Sequence, residues 1–214
     1  MSFLSPLLKP NVQAAFVERI PEVETSTDKI ETLTRLQPHH EQAAQNLGFK
    51  QTYLAEQVHG SELVIIEPRS KPMTQGVDGL LTKEPELLLG IHVADCGAVY
   101  LLDQQTGALA LLHSGKKGTE QNITGKAITL MTERFGTDPR DLVGVLAPCI
   151  RPPHYEIDFA ADIRVQAADA GIPSGQFHDC GLCTGSDLER FYSYRLEKGN
   201  TGRMIALLGR KLPL

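Results

Sequence analysis

Three residues with side chains that bind soft metal ions follow or separate apolar segments in the middle of this chain. Cys96 comes soon after the apolar residues 87–93, His113 directly follows residues 108–112, and His59 lies at an earlier strand boundary. One thiolate and two imidazoles are a ligand set typical of catalytic zinc, which keeps a fourth tetrahedral position for water. Bound zinc lowers the pKa of that water towards about 7. The residues therefore indicate a zinc site, with a metal-free thiol–imidazole pair as the alternative.

The residues next to these ligands could assist them. Asp95 directly precedes Cys96 and could orient a ligand or a water molecule. Residues 113–118, HSGKKG, form a basic turn before an expected helix, where backbone N–H groups favour phosphate or another anion. A solvated turn is the alternative interpretation of this segment. The catalytic candidates are Asp95, Cys96 and His113, and the candidates for binding substrate or phosphate are Gly115, Lys116 and Lys117.

The remaining cysteines are interpreted as structural residues. Cys180 and Cys183 form a C-x-x-C pair, a spacing found in redox and zinc sites. There is no second such pair and no thioredoxin-like unit around it, so neither role is favoured. Cys149 is expected to be a small buried residue.

Two adjacent histidines and one aspartate are also left outside the predicted site. Residues 38–47 predict a short helix that ends at Gly48, with His39 and His40 near its first turn. Neighbouring side chains on a helix point about 100° apart, so we expect a solvated or capping role for this pair. Asp78 adjoins a turn and is expected to shape the pocket.

Hydrophobic patterning predicts the elements that must position these residues. Apolar and alternating runs indicate strands, the first of them at an edge, over residues 11–20, 51–55, 62–67, 87–93, 98–102, 108–112, 142–146 and 205–208. Residues 103–107 have the composition of a hairpin turn. Ile123, Ala127, Met131 and Phe135 fall four positions apart, which predicts a helix ended by Gly136, and a further helix is expected through residues 163–170.

Composition narrows the class of protein. The chain has 214 residues, of which 41% are hydrophobic and 22% charged, and its net charge is -5. We expect one domain over residues 1–214, no nucleic-acid partner and no membrane partner. The first residues lack the basic region of a secretory signal, and the cysteines do not form a disulfide framework. A cytoplasmic location follows as the expectation.

Several short motifs, taken in order, resemble those of the YfiH-like family, also called the polyphenol oxidase or laccase-domain family. They are QVHG at 57–60, VDGLLT at 77–82, VADC at 93–96, HSGKKGT at 113–119, APCI followed by YEI, and FYSYR followed by TGR. The resemblance runs from about Phe16 to the C-terminus. It implies an α+β fold with a mixed β-sheet core flanked by helices, similar to the deamidase domain of bacterial cytotoxic necrotizing factors. It also implies a zinc site formed by His59, Cys96 and His113.

Members of this family are described as enzymes that phosphorolyse adenosine, inosine or methylthioadenosine and deaminate adenosine. The resemblance therefore implies a purine nucleoside and phosphate as partners of a monomer or small homo-oligomer. Copper-dependent polyphenol oxidation is an alternative, ranked lower because none of the seven histidines forms an HxH pair. An editing hydrolase for peptidoglycan precursors and a catalytically altered binding protein are further alternatives.

Two segments depart from the family pattern. The usual HAGWRG is HSGKKG here, so a tryptophan is lost and Lys117 replaces an arginine. Lysine binds phosphate as a point charge and lacks the guanidinium fork, so we expect a change in phosphate affinity or substrate choice. The usual glycine-rich segment near the N-terminus is replaced by IPEVE at 20–24.

Overall fold

Two mixed β-sheets form the centre of the fold in the computed structural model, which describes residues 3–212. The outermost two residues at each end of the expected domain 1–214 lie outside the described residues. The strands are β1 (Val12–Val17), β2 (Thr52–Ala55), β3 (Leu63–Ile65), β4 (Met73–Thr74), β5 (Gly79–Thr82), β6 (Leu88–Val93), β7 (Gly97–Asp103), β8 (Leu109–Ser114), β9 (Leu142–Leu146), β10 (Phe177–Asp179) and β11 (Met204–Arg210). The α-helices are α1 (Lys29–Asn46), α2 (Lys116–Glu120), α3 (Ile123–Phe135) and α4 (Phe159–Asp169).

The strands divide between a first sheet, of order β1-β11-β6-β2-β4, and a second sheet, of order β10-β9-β7-β8-β5-β3. In the first sheet, β6 pairs antiparallel with β11 and parallel with β2. In the second, β7 and β8 form the expected antiparallel hairpin, with Gly97 opposite Ser114. The prediction of an α+β fold with a mixed sheet core flanked by helices is confirmed, with the core strands shared between two sheets.

The main core lies between the two sheets. Alternate residues of β6, such as Leu89 and Ile91, belong to the same buried cluster as Tyr100 and Leu111 of the second sheet. The opposite face of the second sheet packs against α3 and α4. Since successive side chains of a strand point to opposite faces, each central strand is buried on both sides and reads as a continuous apolar run.

Helix α3 begins and ends as its sequence pattern predicts. Ile123, Ala127 and Met131 are buried, and Gly136 ends the helix in the left-handed conformation at φ 73°. A glycine at this position closes a helix without the steric cost of a side chain.

The predicted helix over residues 38–47 is wrong in its start, because α1 begins at Lys29 and Pro38 lies inside it. Pro38 is exposed, and α1 continues past it although a proline lacks the N–H that would donate to the preceding turn. The solvated or capping role expected for the histidine pair is also wrong for His40, which is buried with a ring centroid 5.3 Å from that of His92. His39 is exposed. Among the described helices, none is long and apolar enough to cross a membrane.

Candidate active site

His59, Cys96 and His113 lie together at one end of the two sheets. Their ligand atoms all lie within 4.8 Å of one another. Cys96 comes from the turn between β6 and β7, His113 from β8, and His59 from the loop between β2 and β3. The structure therefore brings together the three expected ligands from three separate segments, in a group that could hold a metal ion.

A buried carboxylate holds two of these segments in place. Asp78 accepts backbone hydrogen bonds from Val58 at 3.2 Å, His59 at 2.9 Å and Gly60 at 2.7 Å. Its Oδ1 lies 2.8 Å from Nδ1 of His113, which leaves Nε2 as the ring nitrogen available to the Cys96 thiol or to a metal ion. Burial raises the pKa of the Asp78 carboxyl, but the hydrogen bonds from His113 and the amides outweigh burial and keep it below its usual value. A carboxylate behind a histidine is the usual partner of a metal-binding imidazole.

The loops that carry the ligands adopt uncommon backbone conformations. Gln57, His59 and Asp95 have φ values of 65°, 61° and 85°. Side chains other than glycine rarely adopt this left-handed region, so surrounding contacts must hold these residues there. The Gln57 side chain supplies one such contact, because its amide bonds both the N–H and the carbonyl of His92 on β6.

The thiol and imidazole groups favour a thiolate at Cys96. Burial raises the pKa of Cys96, but the adjacent His113 and His59 rings outweigh burial and lower the pKa below its usual value. Burial lowers the pKa of His113, while Cys96 and Asp78 outweigh burial and raise it. A thiolate is the form of cysteine that binds metals and acts as a nucleophile.

These residues open into a cavity of about 800 Å³, a size that suits a small molecule. Its wall includes aromatic and cationic side chains: Tyr155, Phe159, Tyr194, Lys29, Lys116, Lys117, Lys198 and Arg203. Within residues 3–212, these lysines and Arg203 form no ion pair with a carboxylate. The cavity wall thus carries several cations without direct ion-pair partners within this range, whereas Arg195 in the same wall pairs with Glu156.

The chain matches the protein family described as "Multi-copper polyphenol oxidoreductase laccase" over residues 22–162 and 156–211. This chain belongs to that family. The match confirms the family indicated by the sequence motifs.

Similar proteins include two that are named purine nucleoside phosphorylases. The one from Geobacillus stearothermophilus, YlmD, is 28% identical over 194 residues, which cover 73% of this chain and 71% of the relative. The one from Campylobacter jejuni is 29% identical over 206 residues, which cover 85% of this chain and 88% of the relative. The crystal structure of Bacillus licheniformis hypothetical protein YfiH has the same fold, with a TM-score of 0.84, 23% identity and coverage of 94% and 93% of the two chains.

The turn that departs from the family's HAGWRG pattern lies at the edge of the cavity. Gly115 precedes α2, and Lys116 and Lys117 form its first turn with exposed side chains. Gly115 packs directly on the thiol, since a Cβ at this position would lie 2.4 Å from Sγ of Cys96. The assignment of these residues to phosphate binding stays a prediction.

Asp95 lines the cavity, but its carboxylate is directed to the C-terminal part of the chain. Oδ1 accepts a hydrogen bond from the Thr184 hydroxyl at 2.7 Å, and Oδ2 accepts one from the Arg195 amide at 2.7 Å. Its carbonyl accepts a bond from the Ile150 amide at 2.8 Å. These contacts tie the turn that carries Cys96 to two other segments of the cavity wall.

Sequence reasoning gave no binding role to several residues of this site. Asp78 lies within the VDGLLT motif and Arg203 within TGR, so position in a motif was the available signal for these two residues. Lys29 carries no such signal, because α1 begins ahead of its predicted start. Cys149, Cys180 and Cys183 are free thiols, and the expected burial of Cys149 is confirmed.

Proposed function

We propose that this protein is a zinc-dependent purine nucleoside phosphorylase. One observation supports this most directly: the His59, Cys96 and His113 group opens into a cavity whose lysines and Arg203 form no ion pair with any carboxylate in the described part of the chain. A phosphate and a nucleoside together would supply the negative charge and the aromatic ring that such a wall can bind. The names of the similar proteins agree with this activity.

The donor set fits zinc. Two imidazoles and a cysteine whose ionisation is favoured by its neighbours match the nitrogen and sulfur ligands that zinc prefers. Asp78 fixes the orientation of His113, as expected for a ligand held before the metal arrives. When bound, zinc would supply a Lewis acid at this wall of the cavity.

In phosphorolysis, a phosphate oxygen forms a bond to C1′ of the ribose while the bond from C1′ to the purine nitrogen breaks. The electron pair of the broken bond goes to the purine, which takes up the proton that the hydrogen phosphate loses, directly or through water, and the products are the free base and ribose 1-phosphate. Lys116 and Lys117 would neutralise charge on the phosphate, with Lys117 as the cation closest in sequence to the family's arginine position.

Aromatic residues of the wall would hold the base. Tyr194 is 57% exposed, and the guanidinium of Arg195 lies 5.0 Å from the ring centre of Tyr155. Flat aromatic side chains offer stacking surfaces for a purine. Asp95 would act as a positioning residue, because it holds the Cys96 turn against the segment that contains both Tyr194 and Arg195.

The direct test is product analysis with adenosine and inosine, each with and without phosphate. Phosphorolysis predicts adenine or hypoxanthine together with ribose 1-phosphate, and only when phosphate is present. Conversion of adenosine to inosine without phosphate would instead identify adenosine deamination, the second activity that the family resemblance implies. If neither base is released in the presence of phosphate, the proposal is wrong.

The alternatives give different signals under the same conditions. Copper-dependent polyphenol oxidation predicts dioxygen uptake with a phenol, which the proposed zinc enzyme does not require. An editing hydrolase predicts release of products from peptidoglycan precursors. A catalytically altered binding protein predicts thermal stabilisation by nucleosides without turnover.

A further inference from the structure

The side of the cavity formed by the first sheet has a cationic wall of its own. Arg203 directly precedes β11, in which Ile205 is opposite His92 of β6. Because side chains alternate along a strand, Arg203 and His92 point to the same face of the first sheet. That face is covered by α1, whose first residue is Lys29. Lys29, His92 and Arg203 all line the cavity.

Arg203 forms no ion pair among the described residues, although its guanidinium lies 5.8 Å from the ring centre of Tyr194 and the negative groups Cys96 and Asp95 favour its charge. Its guanidinium donates hydrogen bonds to the carbonyls of Thr201 at 3.4 Å and Gly202 at 2.8 Å, and no carboxylate within the described residues pairs with it. Asp95 is the carboxylate on the same cavity wall, and both its oxygens already accept hydrogen bonds. Burial nevertheless outweighs these groups and lowers the pKa of Arg203, so the protein compensates the charge only in part and a bound anion would complete the compensation.

Lys29 and His92 strengthen this interpretation. Although the Lys29 side chain is exposed overall, partial desolvation of its ammonium lowers its pKa, and the charge of Arg203 lowers it further against the opposing charges of Glu56 and Asp78. The two cations are therefore close enough to repel. Burial, with further repulsion from His40, Lys29 and Arg203, lowers the pKa of His92 to about 3. His92 is therefore a neutral ring near neutral pH, able to donate one N–H to an anion.

We propose that Arg203, Lys29 and His92 form a second phosphate-binding subsite, separate from Lys116 and Lys117. The guanidinium fork can hold two oxygens of a phosphate dianion, and the lysine adds a point charge. The dianion is either free phosphate or the phosphate group of a nucleotide, which share the same chemistry. The subsite lies in the cavity of the proposed function and depends on that proposal in this respect alone. Binding of phosphate can be measured whether or not the protein turns over a nucleoside.

The test is calorimetric titration of the full-length protein with inorganic phosphate, adenosine 5′-monophosphate and adenosine. Arg203→Gln should weaken binding of the phosphate-bearing ligand at least about tenfold, and Lys29→Gln about threefold, because charge-assisted bonds are lost. Arg134→Gln and Lys50→Gln are the matched controls, since both residues are exposed and absent from the cavity wall. Both controls should bind as the natural sequence does.

The three ligands identify the source of the dianion. If the subsite takes a nucleotide phosphate, adenosine 5′-monophosphate binds more tightly than adenosine, and Arg203→Gln removes the difference. If it takes free phosphate, phosphate and adenosine bind together and Arg203→Gln weakens the phosphate alone. The proposal is overturned if the natural sequence binds neither phosphate-bearing ligand, or if both variants bind them with unchanged affinity.

Further measurements separate folding and turnover from binding. Lys29 is the exposed first residue of α1, so Lys29→Gln decides the question if Arg203→Gln does not fold. If phosphate binding depends on Arg203 while no base is released from nucleosides, only the proposed function fails. If bases are released but neither the KM for phosphate nor the affinity for the nucleotide changes in the two variants, only the second subsite fails.

Discussion

Oδ1 of Asp78 lies 2.8 Å from Nδ1 of His113, and the same carboxylate accepts the amide hydrogen of His59. One buried side chain therefore orients one candidate metal ligand directly and another through the backbone. The third candidate ligand, Cys96, is positioned separately by the turn in which Asp95 has a φ of 85°.

Asp78→Asn should weaken zinc binding by about 10- to 100-fold, because a carboxamide replaces the carboxylate that orients His113. The new N–H donors would also face the loop amides, and the free energy of unfolding should fall by about 1–3 kcal/mol. Zinc affinity is measured by competition with a chelator, and stability by denaturant unfolding.

Asp103→Asn is the matched control for this change. Asp103 is another buried carboxylate that accepts backbone amide bonds, from Gln105 and Thr106, but it lies at the β7–β8 hairpin, away from the cavity. Its substitution should lower stability without changing zinc affinity. Equal losses of zinc affinity in the two variants would show that Asp78 acts only through stability.

Replacing Cys96 tests the metal group itself. Protein purified without added metal should contain about one zinc per chain, and Cys96→Ser should reduce this content, because a hydroxyl is a much poorer ligand than a thiolate. Base release from inosine should fall in parallel. Cys180→Ser, at a half-buried thiol outside the cavity, should retain both zinc and activity. Stoichiometric zinc in Cys96→Ser would remove Cys96 from the ligand set.

Local patterns in the sequence predict much of this architecture. The apolar spacing of α3 and the run that forms β9 predict the observed bounds of both elements. Burial of one helix face gives a periodic apolar pattern, and burial of a strand on both faces gives a continuous apolar run. The same patterns placed the candidate ligands at the ends of apolar segments, where strand ends meet in space.

Long-range packing decides what these patterns do not show. β6 and β7 are separated by a three-residue turn, yet they belong to different sheets, and their apolar sequences contain no sign of this division. In α1 the buried positions Thr32, Leu36, His40 and Ala44 fall four apart, but two of them are polar and hide the helical period. The cationic wall is hidden for the same reason, since Lys29 and Arg203 meet only when α1 covers the first sheet.

Gly115→Ala should disturb the metal group without unfolding the protein. A methyl group there would lie 2.4 Å from Sγ of Cys96, so the thiol or the turn must move. A shift of this kind should weaken zinc binding at least about tenfold, because ligand geometry is lost. Gly175→Ala, where no atom lies within 4 Å of the added methyl, is the control for chelator competition. Unchanged zinc affinity in Gly115→Ala would show that the turn can accommodate the methyl group without displacing Cys96.

The buried His40 should make stability depend on pH. Burial, opposed by a backbone hydrogen bond to Arg203 and assisted by the charge of His39, lowers the pKa of His40 to about 4. The His92 ring faces it from β6. In the unfolded chain the imidazole takes up a proton near pH 6.5, whereas the folded ring does so only near pH 4. The unfolded state thus binds more protons between these values, and the free energy of unfolding falls as the pH is lowered through them.

Across this range the loss attributable to His40 should reach up to about 3 kcal/mol. Denaturant unfolding at a series of pH values should show a shallower slope for His40→Gln between pH 6.5 and 4, because the glutamine does not titrate. His39→Gln changes the exposed neighbour and should reduce the slope much less than His40→Gln, because the charge of His39 is the smallest of the causes that act on His40. If the free energy of unfolding of His40→Gln falls with pH as steeply as that of the natural sequence, the acid sensitivity comes from other groups and not from protonation of His40.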